Sequence, residues 1–369
     1  MKKAAIAILL VLLLTGCWDR LPLKTLHIVD IAGIDQDKEN GDIVLNYVVT
    51  KLKNVGQGSG EPSPKITVLK GHSLVEAVEQ GQYTEQGPFF GMHTGIYFIS
   101  KSFASDDPVQ ELTFILKAPY TASNSPVVII NGNMSKLLKS KIGTNKEFTR
   151  GLSDFVLSIE KNGIAPEVTL MKLILSRKEP LEDMALPLLK PSNSSMELDG
   201  ALLFRQGTYT GKELDKDQVQ MLMLMLEKYS GNKRYTGNMS RKDEDKKSDY
   251  GFSVKKLNSK IITHPESGEL PKVSIGVRMR IYVFKFGESV QPFKPEYVNR
   301  MEKELGKHLE EDAAATIKTL QKANCDVLGI GQQLKAYHPN IWKSMNWRKD
   351  FPEMSIEPNF DVQILNSEE

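Results

Sequence analysis

The sequence predicts a mixed α+β fold arranged in more than one domain. Between residues 26 and 177, apolar segments of strand length alternate with segments that have helical periodicity. Further along, a long strand with alternating apolar residues precedes one long amphipathic helix. A chain of 369 residues can bury two or three hydrophobic cores. A stretch rich in proline and serine at 178–195 marks a predicted domain boundary.

The first predicted unit begins with a β-hairpin. Apolar residues dominate 26–34 and alternate through 43–50, and Asn40-Gly41 between them is a strong turn pair. Ser73 and Glu76 form a capping box, and Asp107 followed by Pro108 is a typical helix start. The unit is predicted to contain further strands at 66–69, 94–101 and 126–131, and helices at 107–117, 133–140, 148–161 and 166–177.

The second half contains a hairpin, a polar segment, two long strands and two helices. The hairpin over 199–209 turns at Gln206-Gly207, and Asp215 caps a helix that runs to about residue 229. The charge-dense segment 232–250 is predicted to be a solvated loop. Strands follow at 252–263, 272–285 and 354–365, with a long helix at 296–323. The predicted domains are 17–190, a small middle domain at 196–251, and 252–369.

The amino terminus has the pattern of a signal peptide over residues 1–16. Lys2 and Lys3 precede an apolar run of 11 residues at 4–14. As a helix this run would span about 17 Å, which is short of the roughly 30 Å hydrocarbon core of a membrane. The run is therefore predicted to be the apolar region of a signal peptide and not a membrane span.

Cys17 follows Leu14-Thr15-Gly16 directly, and this tetrapeptide resembles a bacterial lipobox. In such a motif the cysteine thiol receives a diacylglycerol through a thioether and the chain is cleaved just before it. Two or three acyl chains, palmitate among them, would anchor the protein stably to membrane lipid. The sequence therefore predicts a lipoprotein on the extracytoplasmic face of a membrane.

Charge and cysteine content exclude several classes. The formal net charge is +2, from 48 basic and 46 acidic residues, and both lysines of residues 1–16 would be lost on cleavage. No basic field remains to attract nucleic acid. With Cys17 acylated, Cys325 has no partner in the chain, which excludes a disulfide framework and a cysteine-based zinc site.

Motifs for catalysis, metal or cofactor binding are not evident. The six histidines are scattered singly, without a metal-ligand spacing. Gly329-Ile-Gly331 resembles half of a dinucleotide loop, but Leu334 occupies the third glycine position. The methionine-rich run at 221–226 and Cys325 are interpreted as buried structural residues. We therefore predict no enzyme activity, no metal and no cofactor.

Near the carboxyl terminus, Trp342, Trp347 and Phe351 fall within ten residues. Two interpretations stand: a local hydrophobic cluster that closes the domain, which is favoured, and an exposed partner surface.

Several segments, in order along the chain, resemble the Ger(x)C family, the lipoprotein C subunits of spore germinant receptors. They are Gly16-Cys17-Trp18-Asp19, the segment 31–35 ending in Gly-Ile-Asp, the histidine-containing segment 91–104, the segment 198–204, and finally Asp326-Val-Leu-Gly329-Ile-Gly331 with His338-Pro339, Trp342 and Trp347 after it.

This resemblance implies a fold of three mixed α/β domains and a non-enzymatic subunit on the outer face of the spore inner membrane. Its partners would be the membrane-spanning A and B subunits of the receptor. Cys17 would carry the lipid. The other motif residues are expected to be structural: Trp18, Asp19, Asp326, Gly329, Gly331, Trp342 and Trp347.

Two other classes of anchored protein are alternatives. A solute-binding lipoprotein of a transporter would also be an anchored α/β chain, but such proteins have two similar lobes and a long tether. Here fewer than ten residues separate Cys17 from the first predicted strand. The other class is an anchored enzyme, and no catalytic motif in the sequence supports it.

Overall fold

Two β-sheets organise the chain in its computed structural model. The structure describes residues 26–51, 64–85, 87–118, 121–142, 148–192, 196–229, 234–240, 247–264, 270–286 and 295–365. Within these residues the strands form one sheet of nine strands and one of four. The signal peptide predicted at 1–16, together with Cys17, Trp18 and Asp19, lies outside the described residues.

The first sheet is parallel in its centre and antiparallel at both ends. Its spatial order is β3-β2-β1-β5-β6-β7-β8-β9, with the short β4 paired to β1. The pairs β1–β5, β5–β6 and β6–β7 are parallel. The strands are β1 (His27–Gln36), β2 (Ile43–Lys51), β3 (Lys65–Gly71), β4 (Phe89–Phe90), β5 (Ile96–Ser100), β6 (Val127–Ile130), β7 (Asp183–Pro191), β8 (Met196–Arg205) and β9 (Thr208–Asp215).

Helices cover both faces of this sheet, so its central strands are apolar on both sides. All four residues of β6 are buried, and in β5 Phe98 packs on one face while Ile99 packs on the other. The helices are α1 (Leu74–Thr84), α2 (Lys101–Ala104), α3 (Pro108–Lys117), α4 (Met134–Ile142), α5 (Phe148–Lys161) and α6 (Leu170–Leu175). Buried residues of α4 and α5 lie on the Phe98 side, and those of α1, α3 and α6 lie on the Ile99 side.

The second sheet has the order β10-β11-β12-β13, and its last pair is parallel. Its strands are β10 (Arg234–Ser240), β11 (Lys247–His264), β12 (Lys272–Phe286) and β13 (Ile356–Ile364). The long helix α8 (Pro295–Lys322) buries an apolar stripe that includes Leu305, Leu309 and Ile317. Gly306 lets it approach β13 closely, since a Cβ there would lie 2.9 Å from the Phe360 carbonyl oxygen.

Helix α7 (Lys216–Met225) lies between the two sheets and contacts β8, β11, β12 and α8. Asp215 caps it through a capping box with Gln218. Five consecutive residues, 221–225, are buried, because the helix has packing partners on several sides. One hydrophobic core therefore continues from the first sheet through α7 into the second.

Three short helices follow α8: α9 (Ile330–Tyr337), α10 (Pro339–Ser344) and α11 (Trp347–Asp350). They precede β13 and connect the long helix to the last strand. Among the helices of the described residues, none combines the length and apolar composition needed to cross a membrane.

Most predicted elements are confirmed, and four predictions need correction. The segment 232–250 is not a loop throughout, because β10 and the start of β11 pair across it. The sequence shows no strand periodicity there, because polar residues separate the inward-facing Tyr235 and Tyr250, which both stack on Phe252. The helix predicted at 166–177 is shorter, since Thr169 caps it only at Leu170. The helix that Asp215 caps ends at Met225 and not near residue 229.

The capping box predicted at Ser73 is half formed. Ser73 accepts a hydrogen bond from the Glu76 N–H, but the Glu76 carboxylate accepts one from the His72 N–H and not from that of Ser73.

The strands of 196–215, which the sequence analysis assigned to a middle domain, are hydrogen-bonded into the first sheet. The middle domain and the domain boundaries stay a prediction.

Candidate functional site

Asp326 caps the amino terminus of α9 from a buried position. Its Oδ1 accepts a hydrogen bond from the Ile330 N–H at 3.1 Å, and its Oδ2 accepts one from the Gly331 N–H at 2.7 Å. Gly329 has φ +75°, a left-handed conformation that glycine adopts without strain, and this turns the chain into the helix. The carboxylate thus satisfies N–H groups that have no partner inside the helix.

Burial raises the pKa of Asp326 to about 6. The two backbone N–H groups lower this pKa because they stabilise the charged form. The charge of Asp183 raises the pKa further, and the charge of Arg348 lowers it. The carboxyl group therefore titrates close to neutrality while only 3% of the residue is exposed.

Asp183, the first residue of β7, connects this cap to the first sheet. Its Oδ2 accepts a hydrogen bond from the Asp326 N–H at 2.7 Å. Arg348 of α11 binds the same carboxylate with both terminal nitrogens, Nη1 to Oδ2 at 2.6 Å and Nη2 to Oδ1 at 2.8 Å. Such bidentate pairing fixes both position and orientation. Only 1% of the Asp183 side chain is exposed.

Further contacts reinforce this junction. Asn324, at φ +47°, donates from Nδ2 to the Arg348 carbonyl oxygen at 2.6 Å. Gln332 of α9 donates to the Leu181 carbonyl oxygen at 3.1 Å, just before β7. The thiol of Cys325 lies 3.3 Å from the carbonyl oxygen of Phe204 in β8. Burial, with Asp183 and Asp326 adding to it, raises the pKa of this thiol well above its usual value, which makes it a poor nucleophile.

An aromatic cluster closes the other side of α9. The ring of Trp347 lies 5.7 Å from that of Trp342 and 5.1 Å from that of Phe351, and Trp347 and Phe351 are buried. Gly331 faces this cluster directly, since a Cβ at that position would lie 2.6 Å from Cε2 of Trp347. Glycine is therefore required there by the close approach of the tryptophan ring. The packing agrees with a local hydrophobic cluster, the favoured interpretation.

The structure thus brings together Asp326, Gly329, Gly331, Trp342 and Trp347, five residues that the sequence analysis had selected. It adds residues that sequence reasoning missed, namely Asp183, Asn324, Gln332 and Arg348. Asp183 and Arg348 are 165 residues apart, and no local pattern relates them. In the described part of the chain, no group of three or more His, Cys, Asp or Glu residues is arranged to hold a metal ion.

Two family models match the chain in sequence and together span most of it. The model for the spore germination protein N-terminal domain matches residues 19–191, and the model for the spore germination B3/GerAC-like C-terminal region matches residues 199–368. The chain belongs to the Ger(x)C family of spore germination proteins. The first match ends at the last residue of β7 and the second begins within β8, so the division between them falls inside the first sheet.

Curated Ger(x)C relatives match over nearly their whole lengths. Spore germination protein KC of Bacillus subtilis (strain 168) is 22% identical, over 98% of this chain and 95% of the relative. Spore germination protein GerQC of Bacillus cereus is 20% identical, over 100% and 99%. The crystal structure of the GerBC protein superposes with a TM-score of 0.60 at 17% identity, covering 91% of this chain and 97% of that one. The predicted mixed α/β, multi-domain fold is thereby confirmed.

Proposed function

We propose that this chain is a lipid-anchored subunit of a spore germinant receptor, and that it takes part in nutrient-triggered germination through contacts with membrane-spanning A and B subunits. The observation that carries the proposal is the ordered match of two germination-protein models over most of the chain. The relatives bear names of spore germination proteins, which agrees with such a role.

The function proposed is non-enzymatic and needs no cofactor. The polar groups at this junction are used within the fold: Asp326 of the family motif caps α9, and Asp183 pairs with Arg348. Trp347 packs so closely against Gly331 that no side chain fits at that position. Residues used in this way hold the fold, so we propose that Asp326, Gly331 and Trp347 are structural and that activity resides in surfaces that contact other proteins.

Acylation of Cys17 would hold the protein on the extracytoplasmic face of the spore inner membrane. The chain has two cysteines, which makes a matched test possible. Cells producing the wild type, Cys17→Ala or Cys325→Ala are fed an alkyne-labelled palmitate. We expect label in the wild type and in Cys325→Ala, and none in Cys17→Ala. Label that persists in Cys17→Ala would refute anchoring at this cysteine.

The partner contacts are tested by purifying the tagged full chain from spore membranes in mild detergent. We expect two multi-span membrane proteins to copurify, and spores that lack the chain to lose their response to at least one nutrient germinant. Recovery of the chain alone, with an unchanged germination response, would argue against the receptor role while leaving the lipid anchor open.

A solute-binding lipoprotein of a transporter is the alternative. Copurification with a permease, together with strong calorimetric binding of an amino acid or sugar, would favour it. Among the described residues one sheet has nine strands and the other four, which does not match a pair of similar lobes.

A further inference from the structure

The outer face of the second sheet is exposed and strongly basic. Lys256 of β11 lies opposite Arg280 of β12 on this face, and their neighbours Leu257 and Met279 point the other way, into the core. The exposed cations of the outer face define what we call the basic face: Arg234 of β10, Lys255, Lys256 and Lys260 of β11, and Arg278 and Arg280 of β12.

The positive charge of the basic face is only partly balanced within the sheet. β11 has no acidic residue from 253 to 264, and β12 has none along its whole length. Glu357 and Asp361 lie on the same side of the sheet but in the edge strand β13. Asp361 accepts a hydrogen bond from Arg278 at 3.0 Å, whereas Arg280 donates to the neutral amide oxygen of Gln363 at 2.9 Å. Although the whole chain has 48 basic and 46 acidic residues, its cations are therefore concentrated here.

Two like charges lie directly opposite each other on the basic face. Side chains in register on neighbouring antiparallel strands have Cβ atoms about 5 Å apart, and like charges placed in this way destabilise a sheet. Lys256 and Arg280 are in this relation. The fold gains nothing from their repulsion, and a partner that carries negative charge would relieve it. The arrangement therefore indicates a surface that binds anions.

Aromatic and apolar side chains lie among these cations. The Lys255 Nζ lies 5.0 Å from the centre of the Tyr282 ring, and the Arg234 guanidinium lies 5.7 Å from the centre of the Phe284 ring. Phe284 is 53% exposed, and Ile262, near the other end of the face, is 41% exposed. Aromatic rings beside lysine and arginine, whose apolar stems lie on the surface while their heads stay in water, are typical of the interface between a bilayer and water.

We propose that the basic face lies against the anionic phospholipid headgroups of a bilayer. Its two central strands are 18 and 15 residues long, so the face fits an extended array of phosphates better than a single small anion. Lysine is depleted in protein–protein interfaces, and half of these cations are lysines, which favours lipid over an acidic protein.

The proposed lipid anchor enters this inference only as the reason why a bilayer is near. Cys17 precedes Leu26, the first described residue, by nine positions, and nine residues of chain reach at most about 30 Å. The surface is tested without the anchor, in a polypeptide of residues 18–369. This polypeptide includes every described residue and lacks Cys17, so its result and the result of the palmitate labelling are independent.

Vesicles of two compositions test the charge requirement. The polypeptide is sedimented with vesicles of phosphatidylcholine alone and with vesicles of equal parts phosphatidylcholine and phosphatidylglycerol. We expect binding at least about tenfold tighter to the anionic vesicles, because each lysine or arginine near an anionic bilayer contributes about fivefold in affinity. In about 0.5 M NaCl this preference should fall at least tenfold, because exposed charges are screened.

Two results would overturn the proposal. The first is equal binding to neutral and anionic vesicles. The second is tighter binding to poly-glutamate than to the anionic vesicles at the same concentration of negative charge, which would assign the basic face to an acidic protein.

Variants locate the surface. Lys256→Gln combined with Lys260→Gln should weaken binding to the anionic vesicles about 20-fold. The control combines Lys303→Gln with Lys307→Gln, two exposed positions with the same spacing on α8, the helix that packs on the opposite side of the sheet; it should weaken binding about twofold at most. Loss of Lys256 relieves its repulsion with Arg280, so the melting temperature of the basic-face variant should not fall, which shows that it folds. Equal losses in the two double variants, or no loss in the basic-face variant, overturn the assignment.

Discussion

Replacing Arg348 with methionine tests whether the buried junction holds the two sheets together. The substitution keeps an unbranched apolar side chain but removes both hydrogen bonds to Asp183, whose side chain is 1% exposed. Breaking a buried ion pair by removing one partner costs roughly 3–5 kcal/mol, because the remaining charge is left desolvated. Since 26% of the Arg348 side chain is exposed and water can reach that end, we expect a loss near the lower limit, about 3 kcal/mol.

The assay is urea unfolding followed by tryptophan fluorescence. Two of the three tryptophans, Trp342 and Trp347, lie at the junction, so the signal reports on it directly. A loss of 3 kcal/mol would move the unfolding midpoint down by about 1–3 M urea.

A second arginine–aspartate pair in the same chain provides the control. Arg177 binds Asp107 with both terminal nitrogens, but these side chains are 40% and 38% exposed. Exposed pairs contribute about 0–1 kcal/mol, so Arg177→Met should barely move the midpoint. Adding Asp183→Asn to Arg348→Met should recover part of the loss by removing the unpaired charge. If Arg348→Met costs no more than Arg177→Met, the reasoning about burial is wrong.

Three more predictions follow. Gly331→Ala should destabilise the protein by about 1–3 kcal/mol, because the added methyl group would overlap with Trp347. Gly151→Ala is the control: a Cβ there has no atom within 4 Å, so the substitution should stabilise helix α5 by up to about 1 kcal/mol. Urea unfolding measures both changes, and equal effects would contradict the packing argument. Because the folded-state pKa of Asp326, about 6, exceeds its usual 3.8, its contribution to stability is complete below about pH 4 and is lost as pH rises through 6, by about 3 kcal/mol. Unfolding at pH 4–7 should therefore show a shallower fall of stability with pH in Asp326→Asn than in the wild type, and the slope that remains belongs to groups such as Glu160, whose pKa burial raises to about 7; equal slopes in the two proteins would contradict the shift at Asp326. Cys325 should react with a thiol reagent at about one-hundredth of the unfolded-state rate or less, and rapid labelling of the native protein would contradict its burial.

Sequence patterns predicted those elements whose burial follows a simple period. Helix 148–161 was predicted with the bounds that the structure has, because its apolar residues recur on one face and Asn162-Gly163 ends it. The hairpin turn at Asn40-Gly41 was predicted from its turn chemistry, and Gly41 indeed has φ +78°. Strand β10 was missed because Tyr235 is its one inward aromatic residue among polar neighbours.

The candidate site was half predictable. Asp326, Gly331 and Trp347 were found through family resemblance, yet the sequence did not reveal that the carboxylate caps a helix or that the glycine faces the indole ring. Asp183 and Arg348 could not be found, because their pairing depends on how β7 and α11 meet in space. Local propensity contains no information about contacts at such a separation.

The distance along the chain between Asp183 and Arg348, 165 residues, has a consequence for biosynthesis. The ribosome completes β7 long before it produces the arginine that neutralises Asp183, and the whole of β10, β11, β12 and α8 must be made in between. Until then Asp183 lacks both the Asp326 N–H and the Arg348 guanidinium that join β7 to the last part of the finished chain. A polypeptide that ends early therefore keeps a weakened first half, and quality-control proteases can distinguish it from a finished chain by its stability alone.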